Sequence, residues 1–235
     1  MIQAVFLDVG ETIVDEAREY GTWADWLGVP RHTFSAVMGA AIARGQDYRD
    51  TFQVFRPGFN LEEERRRRIA AGQPEGLSEE NLYPDARSCL QALRSMGLVV
   101  GLAGNQTRQA EAALASLSLP VDVIGTSDGW GVEKPAPEFF SRIAEEAGCD
   151  RESILYVGDR MDNDLGPAQK AGLATAWIRR GPWGYILHDA TIEAGCLFKL
   201  TDLSELAELI RRFNQGNDYE AIAESGLSRS SSSSR

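Results

Sequence analysis

The chain has 235 residues, enough for one α/β core with a smaller inserted unit, and 43% of them are hydrophobic, which excludes global disorder. The net charge of -11 leaves no basic face for nucleic acid. No apolar stretch reaches the roughly 18 residues that a membrane span needs.

The arginines at 65–68 follow Glu62, Glu63 and Glu64, so they read as a self-paired, solvated helix face. Three cysteines, Cys89, Cys149 and Cys196, are far apart and match neither a metal site nor a disulfide framework. The N-terminus runs straight into an apolar strand pattern. The expectation is a cytoplasmic protein with no membrane or nucleic-acid partner. Oligomeric state is left open.

Ala4-Val5-Phe6-Leu7 is a short apolar run that ends on Asp8 and Gly10, as a buried strand entering a turn does. Residues 15–82 break this rhythm with helical patterns and no buried strand. Phe34, Val37, Met38, Ala41 and Ile42 share one helix face. Asn60 suits the cap of a further helix, with Glu63 three residues on and Gly72 past its end. Strand and helix patterns alternate again from 83. Residues 85–96 present Ala86, Cys89, Leu90, Leu93 and Met96 on one face before Gly97, and the apolar run 98–103 leads into Gly104-Asn105. The run 121–124 leads into Gly125. A helix over 137–147 starts on Pro137 and stops at Gly148. The runs 154–157 and 175–178 end on Gly158-Asp159 and on Arg179-Arg180-Gly181, the latter read as a structural loop. After Phe213 the chain turns polar and ends in serines, so 214–235 is expected to be disordered. The pattern predicts an α/β fold. A doubly wound, Rossmann-like parallel sheet would be built from 1–14 and 83–213, with a small all-helical cap at 15–82.

A lone aspartate after a strand is ordinarily a turn residue. Here the order of several residues matters more than any one. Asp8 ends the first strand, and Gly104-Asn105 ends the second. Lys134 precedes a helix in Glu133-Lys134-Pro135, and Asp159 and Asp164 follow a later strand. In a doubly wound sheet these strand ends meet in one crevice. Three carboxylates and a lysine there suit phosphoryl transfer. Mg²⁺ prefers carboxylate oxygens, a carboxylate can attack phosphorus, and a lysine neutralises charge beside both. The five tryptophans read as core or cap-interface aromatics, with Trp23 and Trp26 also candidates for lining a substrate pocket.

Phe6-Leu7-Asp8-Val9-Gly10-Glu11-Thr12 resembles the first motif of the haloacid dehalogenase-like superfamily. Lys134-Pro135 resembles the third, and Gly158-Asp159 through Asp164 the fourth. The resemblance covers about residues 2–212, with the helical insertion where that superfamily carries its cap. It implies a Mg²⁺-dependent hydrolase that acts on a small phosphorylated metabolite through an aspartyl phosphate at Asp8. By the same resemblance Asp8 and Asp159 bind Mg²⁺ through side chains and Gly10 through its carbonyl, with Asp164 supporting the metal or its waters. Lys134 contacts nucleophile and phosphate, and Thr12, Gly104 and Asn105 shape the phosphate pocket.

Two positions depart from the pattern. Phosphatases of the superfamily usually carry a general acid and base, an aspartate, where this chain has Gly10, and a hydroxyl residue where it has Gly104. General acid–base help is worth typically ~10²–10⁴-fold. Three explanations stay open: a proton donor elsewhere (Glu11, Asp15 or His32), a substrate such as an acyl phosphate that needs no protonation, or a catalytically weak ligand-binding protein. Dehalogenases and phosphonatases also lack the second aspartate. A dehalogenase needs no metal, however, and Asp159 with Asp164 argues for one.

Overall fold

The computed structural model describes residues 1–216. Strand β1 (Ala4–Leu7) opens the chain. Four helices follow it: α1 (Ala17–Leu27), α2 (Arg31–Ala43), α3 (Asp50–Phe55) and α4 (Leu61–Ala70). The remainder runs α5 (Ala86–Ser95), β2 (Val99–Gly104), α6 (Arg108–Ser116), β3 (Val123–Thr126), α7 (Ser127–Trp130), α8 (Pro137–Ala147), β4 (Ile154–Gly158), α9 (Gly166–Lys170), β5 (Ala174–Ile178), α10 (Gly181–Ile186), α11 (Ala190–Ala194), β6 (Phe198–Leu200) and α12 (Leu206–Asn214).

The six strands form one parallel sheet in the order β3-β2-β1-β4-β5-β6. Ala4 pairs with Val99 on one side and with Ile154 on the other, so β1 lies at the centre. Successive side chains of a strand face opposite ways. Val5 and Leu7 accordingly pack with Leu90 and Leu93 of α5 and Ile210 of α12. Ala4 and Phe6 pack with Phe139, Phe140 and Ile143 of α8. Both faces are buried, which is why the strands read as continuous apolar runs. β2 and β3 start later than their apolar runs suggest, because hydrogen-bond pairing rather than hydropathy sets their ends. The edge strand β6 was not legible as a strand. It is three residues long, and Lys199 stands exposed between buried Phe198 and Leu200.

Helices α1–α4 form an all-helical cap with its own apolar cluster around Trp23, Phe34, Met38, Ile42, Phe52 and Phe59. Asn60 caps α4, its Oδ1 accepting from the Glu63 N–H at 3.0 Å. The acidic and basic run of α4 is only partly self-paired. Arg65 meets Glu62, and Arg67 meets Glu63 and Glu64. Arg68 instead is buried, its guanidinium 4.2 Å over the Trp23 ring and donating to Thr22 Oγ1. Trp23 and Trp26 turn into this cluster and donate to Glu75 and Glu64, so neither lines the crevice described below. Trp183, on α10 where a loop was expected, reaches the cluster from the core side.

The chain enters and leaves the cap on paired segments. Val14 bridges Leu82 antiparallel, the Asp15 N–H donates to the Asn81 carbonyl, and the Tyr83 N–H donates to the Ile13 carbonyl. No helix among the described residues is long and apolar enough to cross a membrane.

The region expected to be disordered begins at 214, yet Asn214 completes α12; residues 217–235 lie outside the described residues. The Asn214 side chain clips the first strand: Ile2 N–H donates to its Oδ1 at 2.7 Å, and its Nδ2 donates to the Ile2 carbonyl at 2.8 Å. Asn214→Ala is expected to lower unfolding free energy by about 1–3 kcal/mol, the worth of two such bonds. Urea denaturation with an unchanged m-value checks this; no loss would show the clip to be irrelevant.

Candidate active site

The central strands deliver their charged residues at one end of the sheet. Asp8 follows β1, Asn105 follows β2 and Asp159 follows β4, while Lys134 sits in the loop before α8. Lys134 is 3% exposed. Its ammonium donates to Asp8 Oδ1 at 2.6 Å, to Asp164 Oδ1 at 2.5 Å and to the Tyr156 hydroxyl at 3.1 Å. Tyr156 in turn donates to the Ala103 carbonyl at 2.8 Å. Asp164 is held from its other side, its Oδ2 accepting from the Arg160 N–H at 3.0 Å.

Asp8, Asp159 and Asp164 each offer an oxygen within 4.8 Å of the others, and all three are buried. Asp159 Oδ2 has no hydrogen-bond partner among the described residues. One ammonium faces three carboxylates, so the cluster carries excess negative charge away from water, a costly state unless a cation or protons compensate it. Burial pushes Asp8 from 3.8 to about 6, with Lys134 pulling the other way and Asp164 adding to the rise. Asp159 is raised well above its ordinary value by burial, then by Asp164 and Asp8. Burial disfavours the Lys134 ammonium, but Asp164 and Asp8 overcome this and hold it firmly charged. Clustered hard oxygens, one of them orphaned, fit a divalent cation.

These residues line a crevice of about 430 Å³ between sheet and cap. Asp8, Gly10, Asn105, Lys134 and Asp159 reach its wall. Asp164 lies directly behind, joined through Lys134. Thr12 and Gly104 are not part of the wall. Thr12 is fully buried, its Oγ1 unpartnered among the described residues and its carbonyl accepting from Arg180 Nη1 at 2.9 Å. Gly104 backs onto Asp8: a Cβ there would stand 2.7 Å from Asp8 Oδ1, so a serine would displace that carboxylate. Asn105, on the wall, also holds its neighbour. Its Oδ1 accepts from the Lys134 N–H at 2.8 Å and its Nδ2 donates to the Lys134 carbonyl at 2.9 Å.

Of the three residues considered as proton donors, Glu11 alone faces the crevice. It is buried in a left-handed backbone conformation (φ 52°) and its Oε2 accepts from the Tyr83 hydroxyl at 2.6 Å. Burial raises it from 4.5 to about 7. Asp15 Oδ1 accepts from the Ala17 N–H, and His32 is exposed on α2. Sequence reasoning missed several wall residues: Glu16, Tyr20, Tyr48, Arg49 and Arg160; Trp183, read as a core or cap-interface aromatic, also stands on the wall. The Arg160 guanidinium lies 5.1 Å over the Trp183 ring, and Trp183 meets Tyr48 edge-on at 5.7 Å. Glu16 carries the one signal the chain offered, a carboxylate in the short connection between β1 and the cap. Burial, then Glu11, pushes it from 4.5 to about 8.

A family model described as haloacid dehalogenase-like hydrolase matches residues 2–172. This chain belongs to the haloacid dehalogenase-like hydrolases. Among curated relatives, a glyceraldehyde 3-phosphate phosphatase of Methanopyrus kandleri is 38% identical over 105 residues, covering 43% of this chain and 45% of that one. The chain spans about half the length of the curated relatives it matches. Two solved structures share the fold. A haloacid dehalogenase-like phosphatase from Thermococcus onnurineus has TM-score 0.55 at 23% identity over 89% of this chain and 98% of that one. An L-2-haloacid dehalogenase from Xanthobacter autotrophicus has TM-score 0.60 at 19% identity over 90% and 99%. The chain thus shares its architecture with proteins of both chemistries, and fold alone does not separate them.

A carboxyl whose value rises on folding adds stability below its ordinary value and loses it as pH climbs through the raised one. For Asp8, Glu11 and Glu16 that window runs from 3.8 to about 8. In chelator, these groups are expected to cost stability progressively across it. A divalent cation should therefore raise the melting temperature more at pH 8 than at pH 5. Thermal scans with and without cation check this, and an equal shift at both pH values contradicts it.

Proposed function

We propose that this hydrolase is a Mg²⁺-dependent phosphatase that acts on a small phosphorylated metabolite through an aspartyl phosphate at Asp8. The observation that carries the reading is the buried cluster of Asp8, Asp159 and Asp164 around Lys134, with an orphaned oxygen on Asp159. Lys134 occupies Asp8 Oδ1 and fixes the carboxylate, which leaves Oδ2 for attack on phosphorus. The same ammonium stands beside the point where phosphate charge gathers. Asn105 serves as the clamp that holds Lys134 in place.

Asp8, Asp159 and the carbonyl of Gly10 would hold the metal, with Asp164 behind them. When bound, Mg²⁺ supplies charge neutralisation between the attacking carboxylate and an anionic phosphate. A dehalogenase needs no metal, whereas this acidic cluster suits one. Relatives named glyceraldehyde 3-phosphate phosphatase support a small phosphorylated substrate. A ligand-binding role with weak turnover is the second reading, favoured by the bare positions Gly10 and Gly104.

The test is a panel of small phosphate esters and acyl phosphates with Mg²⁺. Turnover is expected, is lost reversibly in chelator, and falls by roughly 10⁴-fold or more in Asp8→Asn. No turnover, with Mg²⁺ and inorganic phosphate still bound, would establish the second reading. Metal-independent halide release from a 2-haloacid would overturn both.

Asn105→Ala removes both hydrogen bonds on the Lys134 backbone. It is expected to lower kcat by roughly 10-fold to 100-fold, as a misplaced charged group does. Steady-state kinetics on the best substrate checks this, and a change in KM alone would contradict the clamp.

A further inference from the structure

Position 10 is bare, yet the space a side chain would take there is filled. A Cβ built on Gly10 would stand 2.6 Å from Oε1 of Glu16 and 3.0 Å from its carboxyl carbon. Ordinary bond lengths place an aspartate's own carboxyl oxygens roughly 2.4 Å from its Cβ. Glu16 therefore brings a carboxyl oxygen to about the reach at which an aspartate at position 10 would hold its own.

Local structure explains how. The turn after Asp8 folds back tightly, with the Ile13 and Val14 N–H groups donating to the Val9 carbonyl and the Glu11 N–H donating to the Val14 carbonyl. This returns the chain to the crevice at the start of α1. Glu16 occupies the N-cap position there, but its side chain makes no capping hydrogen bond, a task that falls to Asp15. One turn on, the Tyr20 hydroxyl donates to Glu16 Oε2 at 3.1 Å and fixes that oxygen. Oε1 accepts no hydrogen bond from the described residues, and Glu16 lines the same crevice as Asp8, Lys134 and Asp159. A helix-capping role does not account for this placement. Glu11 is less suited, since its side chain is packed under Gly181 and it is Glu16 that fills the space beside position 10.

We propose that Glu16 is the general acid and base of this site, supplying from the first cap helix the carboxyl that position 10 lacks. The proposal rests on the phosphatase reading above. Asp8 bonds to phosphorus as the ester P–O bond breaks, and the departing oxygen takes the proton of Glu16, leaving a carboxylate. That carboxylate then takes a proton from water as the water oxygen bonds to phosphorus and the Asp8–phosphorus bond breaks. Inorganic phosphate leaves, and both carboxyls return to their starting forms.

The experiment compares glycerol phosphate, an alkyl ester with a poor leaving group, with acetyl phosphate, whose leaving group needs no proton, both with Mg²⁺. Glu16→Gln is expected to lower glycerol phosphate turnover by roughly 10²-fold or more. With acetyl phosphate it is expected to form phosphoenzyme at the wild-type rate in a single turnover. It should then accumulate that species on Asp8, visible by intact-protein mass spectrometry, because the second step lacks its base. The second variant moves the carboxyl. Gly10→Asp in a Glu16→Ala background, where the crowding is relieved, is expected to regain at least ~10-fold over Glu16→Ala alone.

Glycerol phosphate turnover by Glu16→Gln within about threefold of wild type would overturn the proposal, as would an equal slowing of phosphoryl transfer from both substrates. If Glu16→Gln does not fold, the double variant decides, and no gain over Glu16→Ala overturns the proposal. A wild-type protein that turns over neither substrate and forms no phosphoenzyme would instead overturn the phosphatase reading itself.

Discussion

Taking the Lys134 ammonium out of water is tolerable because three oxygens replace its hydration: a carboxylate from the end of β1, a carboxylate from the turn after β4, and a phenol from β4 itself. An isolated buried charge would cost several kcal/mol, so these partners fix where the strand ends must meet. The relay continues through Tyr156 to the Ala103 carbonyl of β2 and through Asn105 to the Lys134 backbone. Three neighbouring strands are thereby tied at one end by a single side chain. The arrangement still sets one ammonium against three carboxylates, and Asp159 Oδ2 finds no partner among the described residues.

The sheet supplies the rigidity that such a cluster needs. Its two faces are covered separately, by α5 and α12 on one side and α8 on the other. The strand ends therefore sit on a frame with little freedom to relax around an uncompensated charge. The cap packs its aromatics mostly against one another. It lends the crevice Glu16, Tyr20, Tyr48 and Arg49, and the core answers with Arg160 and Trp183. Asp8 and its charge partners thus come from the core, and much of the facing wall comes from the cap.

Much of this was legible because buried parallel strands and amphipathic helices leave strong periodic signals. Runs ending on Asp8, Asn105 and Asp159 identified both the sheet and the residues it gathers. Lys134 stood out as one of three lysines in an acidic chain. What stayed hidden depends on contacts rather than period. β6 buries only alternate residues of a three-residue stretch. The helix carrying Trp183 is too short for a periodic signature. Arg68 reads as a surface charge until the Trp23 ring beneath it is seen. Asn105 was read as a phosphate-pocket residue, and only the three-dimensional path of the loop shows that it also holds the Lys134 backbone through both its polar atoms. Gly10 read as a missing group because the side chain filling that volume arrives six residues later along a folded-back turn.

The paired segments at Val14 and Leu82 join cap to core through two adjacent strands of backbone. Both crossings lie side by side, so the cap is tethered to the core along one edge by backbone hydrogen bonds, and Glu16 follows Asp15 directly at that tether. Its place beside the turn after Asp8 is therefore set by chain connectivity over a few residues and not by how the cap's aromatics pack.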